Sequence, residues 1–311
     1  MSSIEDLALC HQPITDLFDQ PSCADDWKQC ALSAEQVQTF EEQGFVGGIP
    51  VLDAEQVGYL RQQLERLMDP GHPKNSLFYE FHVDESDDPE TVLFHALGGW
   101  RIETGFHDLL FSPVVRIASY QLLAASVRFF HDQLFCKPPQ RGGVVSWHQD
   151  YSYWTWTQPM AHLTCWIALD DTGLENGCLH YIPGSHRWGL LPVTGLSGGM
   201  DSVQEILDDS QQQAFDRQVA VKLRAGEAVF HHPLAMHGSY QNRSAAPRRG
   251  AVLNLAADGV WSNSDALQGP GTDNFPILPQ GQPLAGDFYP LLFDPERELC
   301  GDIEGIAVIG Q

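Results

Sequence analysis

The change in residue pattern near Val127 is the feature that most constrains the fold of this 311-residue chain. Beyond it, short runs rich in Val, Phe, Trp, Tyr and Thr alternate with Gly, Pro and Asn, which is the pattern of short strands joined by turns. Many short strands after a helical section predict an all-β core, either a sandwich or a jelly-roll barrel, with helices covering one face. The predicted strands are residues 128–130, 144–147, 163–169, 179–182, 219–223, 228–231 and 251–255.

Capping residues predict three helices in the N-terminal third. Ser33-Ala34-Glu35-Gln36 has the form of a capping box, and Gly44 is placed to end the helix that follows. Asp53 begins a second predicted helix, whose apolar residues recur at three- and four-residue steps. Ser112-Pro113 begins a third, because proline is favoured in the first helical turn.

We therefore expect a single domain over residues 1–311, built in three parts. A mainly helical support covers about 33–125, and the β core covers about 127–258. Residues 259–311 form a Gly- and Pro-rich C-terminal excursion, which includes Gly269-Pro270-Gly271. A long segment of this composition is expected on the surface, where it is a candidate cover for a pocket.

The chain is strongly acidic, with 41 acidic against 17 basic residues and a formal net charge of -24. This charge argues against nucleic acid or an anionic membrane surface as a partner, and any anionic ligand would need a locally placed cation. The seven cysteines are odd in number and form no Cys-x-x-Cys pair, which favours reduced thiols. Without a signal-peptide pattern or an apolar run approaching ~20 residues, we expect a cytoplasmic protein with no membrane insertion.

The motif that most directly indicates a chemical function is His148-Gln149-Asp150, considered together with a later histidine. Alternate residues of a strand point the same way, so an imidazole and a carboxylate two residues apart can bind one metal ion. A second imidazole would complete a facial triad that leaves metal positions open. Chance alone produces roughly one His-x-Asp in a chain of this composition, and His82-Val83-Asp84 is a second example. That copy runs into an acidic loop and is set aside, whereas His148 follows a strand-like run.

The sequence alone does not decide which histidine supplies the second imidazole or which arginine binds an anion. His231, His232 and His237 lie close together in sequence, and spacing favours His237, which would share a strand face with Ser239. Arg248 and Arg249 follow a turn, and alternation would direct one of them inward as a carboxylate clamp without deciding which. Lys137 and Arg141 could contact an anionic substrate, but lone surface cations usually have no specific role, so both are interpreted as surface cations.

Several motifs in the same order resemble the phytanoyl-CoA dioxygenase family. They are Trp147-His148-Gln149-Asp150, Ala168-Leu169-Asp170-Asp171, Glu175-Asn176-Gly177-Cys178-Leu179, Ile182-Pro183-Gly184-Ser185-His186 and His237-Gly238-Ser239 with Asn242, Ser244 and Arg248. The resemblance covers roughly residues 33–258. It implies a single oxygenase domain with a double-stranded β-helix, the cupin-like form of the jelly roll, that uses Fe(II), 2-oxoglutarate and O2.

The resemblance also implies a role for individual residues. His148, Asp150 and His237 correspond to the iron ligands, and Arg248 corresponds to the clamp on the distal carboxylate of 2-oxoglutarate. Trp166 and Ser239 hold positions that line the cosubstrate pocket, and Gln133 resembles a further cosubstrate contact.

The implied reaction is hydroxylation of an unactivated C–H bond of a small organic molecule, with release of succinate and CO2. The substrate would be lipid-derived, amino-acid-like or a natural-product scaffold, and the acidity of the chain argues against a polyanion such as a CoA thioester. Asp150 disfavours halogenation, because related halogenases have a small residue in place of the carboxylate. The alternative is a non-catalytic or zinc-loaded β-barrel that binds a small molecule. No sequence signal indicates an oligomeric state.

Overall fold

The computed structural model describes residues 5–193, 199–263, 275–276, 278–300 and 304–310. The Gly269-Pro270-Gly271 segment of the predicted C-terminal excursion lies outside these residues. The described α-helices are α1 Ala24–Cys30, α2 Ala34–Gln43, α3 Ala54–Leu67, α4 Thr104–Leu109, α5 Pro113–Leu123, α6 Asp209–Phe215 and α7 Pro295–Glu298. The described strands are β1 Phe45–Pro50, β2 Glu80–His82, β3 Phe94–Leu97, β4 Val127–Lys137, β5 Val145–His148, β6 Thr157–Gln158, β7 His162–Ala168, β8 Leu179–Tyr181, β9 Val219–Val221, β10 Glu227–His231, β11 His237–Ser239, β12 Arg248–Ala257, β13 Trp261–Ser262 and β14 Leu291–Phe293.

Two antiparallel sheets form the core. Within the described ranges the larger sheet has the strand order β1-β10-β7-β12-β4-β3-β2, with β14 paired to β4, and the smaller sheet has the order β5-β11-β8-β9. Most neighbouring strands, such as β10-β7-β12-β4 and β5-β11-β8, are non-consecutive in sequence, because the chain crosses repeatedly between the two layers. Only β2-β3-β4 and β8-β9 are neighbours in both sequence and sheet within the described ranges. This arrangement confirms the predicted all-β core with flanking helices and the double-stranded β-helix.

The capped helices form where their sequence signals place them. The Ser33 hydroxyl accepts the backbone N–H of Gln36, and the Gln36 side chain accepts the N–H of Ser33. Gly44 ends α2 in the left-handed conformation, with φ 84°, where a Cβ would be disfavoured. Asp53 and Gln56 repeat the capping box at α3. Within the described part of the chain, no helix combines the length and apolarity needed to cross a bilayer.

The N-terminal third is less helical than its sequence predicts. Three strands, β1, β2 and β3, alternate with its helices and join the larger sheet. β1 was missed because two glycines and a proline interrupt its apolar pattern; it is an edge strand, the position where Pro50 is tolerated. β2 and β3 have only three and four residues, too few for alternation to be visible.

The C-terminal residues that are described pack on the β core. β14 pairs with the start of β4, and Leu284 and Tyr289 are buried against an aromatic cluster that contains Phe130, Trp154 and Trp156. This part of the predicted surface excursion therefore contributes to the fold, because its apolar residues complete the end of the larger sheet.

Two apolar regions hold the layers together. The larger one fills the space between the main sheet and the helices. The smaller one lies between the two sheets and includes Phe45, Trp166, Tyr181, Val229 and Val252. Polar side chains enter the barrel beside this smaller cluster, so the site described next is bounded by both sheets.

Candidate metal centre and anion pocket

His148, Asp150 and His237 meet at the mouth of the barrel. His148 ends β5 and His237 begins β11, and the two residues are direct partners across these strands. The Nε2 atoms of His148 and His237 lie 3.3 and 3.6 Å from Oδ1 of Asp150, and the three potential ligand atoms all lie within 4.8 Å of one another. Ligands about 2.1 Å from a shared metal lie about 3 Å apart, so these atoms are close to metal-binding positions.

The His-x-Asp spacing brings the imidazole and the carboxylate together for a different reason from the one predicted. The strand ends at His148, and Asp150 is the first residue of a 3-10 turn, Asp150–Tyr153. Strand alternation therefore does not apply to the pair. The turn brings the carboxylate back beside the imidazole. It also places the centroid of the Tyr153 ring 6.3 Å from that of the His148 ring.

Both imidazoles are oriented by backbone carbonyls. Nδ1–H of His148 donates to the carbonyl oxygen of Ser146 at 2.7 Å, and Nδ1–H of His237 donates to that of Ala235 at 3.0 Å. Each ring therefore directs the lone pair of Nε2 toward Asp150, as a metal ligand requires. Burial, reinforced by His148 and His231, lowers the pKa of His237 well below its usual value, so the ring is neutral.

Asp150 is held as an ionised carboxylate. Burial alone would raise its pKa, but His237, His148 and His231 together bring the pKa well below its usual value. Its second oxygen, Oδ2, accepts hydrogen bonds from the Thr164 hydroxyl at 2.6 Å and from Nε2 of His231 at 2.9 Å. Oδ1 is the oxygen that faces the other two ligand candidates.

The structure separates the three histidines that the sequence left open. His237 lies with His148 and Asp150, as spacing favoured. His231 lies behind the carboxylate and contacts its other oxygen. Nδ1 of His232 accepts the backbone N–H of Leu234, and its ring packs 5.4 Å from His186. The assignment of His148, Asp150 and His237 as metal ligands remains a prediction.

A cavity extends from Asp150 and His237 into the barrel and reaches a buried arginine, Arg248. Arg248 is 1% exposed, and its Nε and Nη2 atoms have no hydrogen-bond partner among the described residues. Its guanidinium lies over Trp166, 4.5 Å from the ring centroid. A Cβ at Gly250 would lie 2.3 Å from this indole, so the missing side chain makes room for it. Unpaired guanidinium donors facing a cavity fit a carboxylate.

Strand alternation separates the two adjacent arginines, as predicted. Arg249 points away from the cavity and binds Asp170 through Nε and Nη2, both at 2.9 Å. Its Nη1 reaches Glu65 of α3 at 3.0 Å. Arg249 therefore fastens a helix to the barrel, and Arg248 alone of the pair is available to the cavity.

Lys137 is fully buried, which corrects its interpretation as a surface cation; Arg141 is exposed as expected. Lys137 is the strand partner of Arg248, and its Nζ donates to Ser239 Oγ at 2.7 Å, Ser239 O at 3.1 Å and Tyr240 O at 2.7 Å. Burial, followed by repulsion from Arg248, lowers its pKa well below the usual value. The burial of Lys137 could not be predicted from the sequence, because it depends on the pairing of β4 and β12, the two strands that contain these cations.

The remaining predicted pocket residues all line the cavity. Trp166 lies beside Arg248, Ser239 presents its hydroxyl, and Gln133 enters from the middle of β4. Their contact with a cosubstrate remains a prediction.

The second His-x-Asp leads into a largely exposed loop, as expected: His82 is half-buried at the end of β2, whereas Val83 and Asp84 are exposed. Nε2 of His82 is 2.6 Å from Glu80, while Oδ1 of Asp84 accepts the N–H groups of Ser86 and Leu93. Glu80, His82 and Glu85 bring potential ligand atoms within 4.8 Å of one another, but Asp84 is not among them. The tripeptide itself is therefore not a metal motif here, because its carboxylate caps a turn.

Comparisons with known proteins agree with this geometry. A model of the phytanoyl-CoA dioxygenase (PhyH) family matches residues 40–250. The fold is also that of solved non-heme alpha ketoglutarate-dependent enzymes. The chain belongs to the phytanoyl-CoA dioxygenase family, which confirms the resemblance found in the sequence.

Individual relatives show how far the similarity extends. Phytanoyl-CoA dioxygenase domain-containing protein 1 of Mus musculus is 33% identical over 184 residues, which cover 55% of this chain and 62% of the mouse protein. Phytanoyl-CoA dioxygenase of Arabidopsis thaliana is 25% identical over 274 residues, 76% of this chain and 94% of that protein. The solved epimerase SnoN, in complex with Fe3+, alpha ketoglutarate and nogalamycin RO, has a TM-score of 0.67 at 23% identity, covering 83% of this chain and 98% of SnoN.

Proposed function

We propose that this protein is a non-haem Fe(II)- and 2-oxoglutarate-dependent dioxygenase that hydroxylates a C–H bond of a small organic molecule. The observation that carries the proposal is the layout of the cavity. A group of two imidazoles and a carboxylate lies at its mouth, and unpaired donors of Arg248 lie in its interior. A 2-oxo diacid has one end suited to each: a chelating 2-oxo acid group for the metal and a carboxylate for the guanidinium.

The residues present fit both groups. His148, Asp150 and His237 would hold Fe(II) as a 2-His-1-carboxylate triad. Arg248 and Ser239 would bind the distal carboxylate of 2-oxoglutarate, with Trp166 and Gln133 beside it. When bound, the iron and cosubstrate supply oxidative decarboxylation of 2-oxoglutarate by O2, which yields succinate and CO2 and oxygenates a second substrate.

The surroundings of His148 support an organic substrate with apolar surface. A second pocket lies against His148 and is walled largely by apolar side chains, among them Trp147, Leu191, Ile206 and Met236. Tyr153 stands 40% exposed beside His148. The solved relative SnoN carries nogalamycin RO as well as iron and cosubstrate, which supports a natural-product or similarly sized scaffold. The net charge of -24 continues to disfavour a CoA thioester.

The test is anaerobic addition of Fe(II) and then 2-oxoglutarate to the metal-free protein, followed by exposure to O2. We expect a weak visible charge-transfer absorption before oxygen and succinate afterwards, with more succinate when a screened metabolite is the true substrate. Asp150→Ala should abolish both signals while circular dichroism stays unchanged.

The alternative, a zinc-loaded or non-catalytic binding barrel, makes the opposite prediction. Zn(II) would bind and raise the unfolding temperature, but Fe(II) with 2-oxoglutarate would give neither absorption nor succinate. That result with folded protein would remove the proposed activity, and so would undiminished turnover by Asp150→Ala.

A further inference from the structure

A buried chain of hydrogen bonds runs from the interior of the barrel to the back of the candidate metal ligand Asp150. Oη of Tyr181 is 2.9 Å from Nδ1 of His231, and Nε2 of His231 is 2.9 Å from Oδ2 of Asp150. Tyr181 is 0% exposed and His231 is 2% exposed. Neither residue belongs to the group of ligand atoms formed by His148, Asp150 and His237.

Of the two neutral tautomers of His231, only one satisfies both hydrogen bonds of this chain. A carboxylate oxygen can only accept, so the ring proton lies on Nε2, 2.9 Å from Oδ2 of Asp150. Nδ1 is then an acceptor, and Tyr181 is the donor that faces it. Tyr181 thereby selects the tautomer in which His231 donates to Asp150.

Packing holds the donor in place. The Tyr181 ring stacks on Phe45 at 4.4 Å and on His237 at 5.5 Å between ring centroids. Its hydroxyl has no other partner among the described residues. The tyrosine is therefore fixed by contacts on two sides and is directed at His231.

The consequence concerns how many oxygens Asp150 offers to a metal. Oδ2 accepts from both His231 and the Thr164 hydroxyl, while Oδ1 faces Nε2 of His148 and of His237. A carboxylate with two free oxygens can bind a metal through both and occupy an additional position. Two donors on Oδ2 oppose that mode and leave the open positions that a chelating cosubstrate and O2 need.

We propose that His231, with its tautomer set by Tyr181, is a positioning residue that holds Asp150 as a one-oxygen metal ligand. The inference rests on the proposed function for the identity of the metal site. It assigns to His231 a role other than metal ligation.

The experiment measures the affinity of the metal-free full chain for Co(II), by competition with a chromophoric chelator, and records the visible spectrum of the Co(II) protein. His231→Leu removes the donor, whereas His231→Gln keeps a side-chain N–H that can reach Oδ2. Tyr181→Phe removes only the hydroxyl. His232→Leu, the adjacent histidine outside the chain of hydrogen bonds, is the matched control.

We expect His231→Leu to weaken Co(II) binding by about 10- to 100-fold and to alter the visible bands, as loss of an outer hydrogen bond to a ligand does. His231→Gln should restore most of the affinity, and Tyr181→Phe should weaken binding to a smaller extent. His232→Leu should bind Co(II) like the wild type. Circular dichroism of the metal-free variants reports their folding independently.

Two results would overturn the inference. Wild-type affinity and spectrum in His231→Leu would make the histidine a packing residue, and equal losses in His231→Gln and His231→Leu would make the imidazole itself a ligand. Should His231→Leu fail to fold, Tyr181→Phe decides, since unchanged Co(II) binding there also contradicts the proposal. Failure of the proposed function is distinct: the wild type itself would then give no cosubstrate-dependent absorption with Fe(II).

Discussion

Replacing Arg248 by Met should stabilise the ligand-free protein while abolishing its response to 2-oxoglutarate. Burial lowers the pKa of Arg248 from its ordinary value to about 10, and at about 1.4 kcal/mol per pKa unit the buried charge costs roughly 3 kcal/mol. The contact with Trp166 returns about 0.5–2 kcal/mol of this. Met retains much of the apolar length and has no unpaired donors, so we expect a gain of about 1–2 kcal/mol in the free energy of unfolding.

Arg249→Met is the matched control, because the neighbouring side chain has the opposite surroundings. It pairs with Asp170 and Glu65, and both it and Asp170 have side chains that are only 14% exposed. Losing these ion pairs should lower the free energy of unfolding by about 1 kcal/mol. The cavity is untouched, so binding of the 2-oxo acid should persist.

The assay is urea unfolding of the metal-free proteins, followed by thermal unfolding with Mn(II) in the presence and absence of 2-oxoglutarate. The cosubstrate should raise the unfolding temperature of the wild type and of Arg249→Met, and leave Arg248→Met unchanged. If Arg248→Met is destabilised as much as Arg249→Met, or keeps the cosubstrate shift, the assignment of Arg248 as an unpaired anion ligand is wrong.

Three further predictions concern residues around the cavity and one distant histidine. Lys137→Met should raise the KM for 2-oxoglutarate about 10-fold or more with a smaller effect on kcat, because the buried ammonium orients the Ser239 hydroxyl through a charge-assisted hydrogen bond; an unchanged KM contradicts this role. Gly250→Ala should displace the Trp166 indole, cost about 1–3 kcal/mol in urea unfolding and weaken cosubstrate binding, whereas wild-type stability would show that the ring can move aside. His162→Gln should reduce acid sensitivity. Burial lowers the pKa of His162 to about 3, so its contribution to stability is present above the unfolded-state value of 6.5 and is lost as pH falls below it. At pH 5.5 this loss is about 1.4 kcal/mol relative to neutral pH, and unfolding curves at the two pH values that shift equally in both proteins would refute it.

Features encoded within a few residues were predictable from the sequence. The capping boxes at Ser33 and Asp53 form as hydrogen-bonded pairs, since each depends only on residues three positions apart. The alternation that separates Arg248 from Arg249 is equally local, because it needs only that both lie on one strand. Short-range signals of this kind were enough to predict an all-β core covered by helices, whereas the choice of a jelly-roll barrel over a sandwich came from the family resemblance.

Features that depend on strand pairing were not predictable. Lys137 was interpreted as exposed because a lone lysine usually is, and only its pairing with Arg248 across β4 and β12 reveals the buried position. Likewise, His231 and His237 differ by six residues, and their distinct positions at the carboxylate depend on two different sheets, β10 and β11. The turn that directs Asp150 inward also overrides the strand pattern on which the prediction relied.

The charge distribution explains how so acidic a protein can bind an acidic cosubstrate. With a net charge of -24, long-range electrostatics oppose the approach of a dianion. Inside the cavity the sign reverses, because Asp150 would be neutralised by its metal, while Nε and Nη2 of Arg248 have no hydrogen-bond partner among the described residues. Lys137 adds a second buried cation, which donates to the Ser239 hydroxyl that lines the cavity. Burying these cations destabilises the ligand-free fold, and a carboxylate that enters the cavity offsets this cost. Selectivity for a 2-oxo diacid over a 2-oxo monoacid would therefore come from the cation end of the cavity, and the metal end would not distinguish between them.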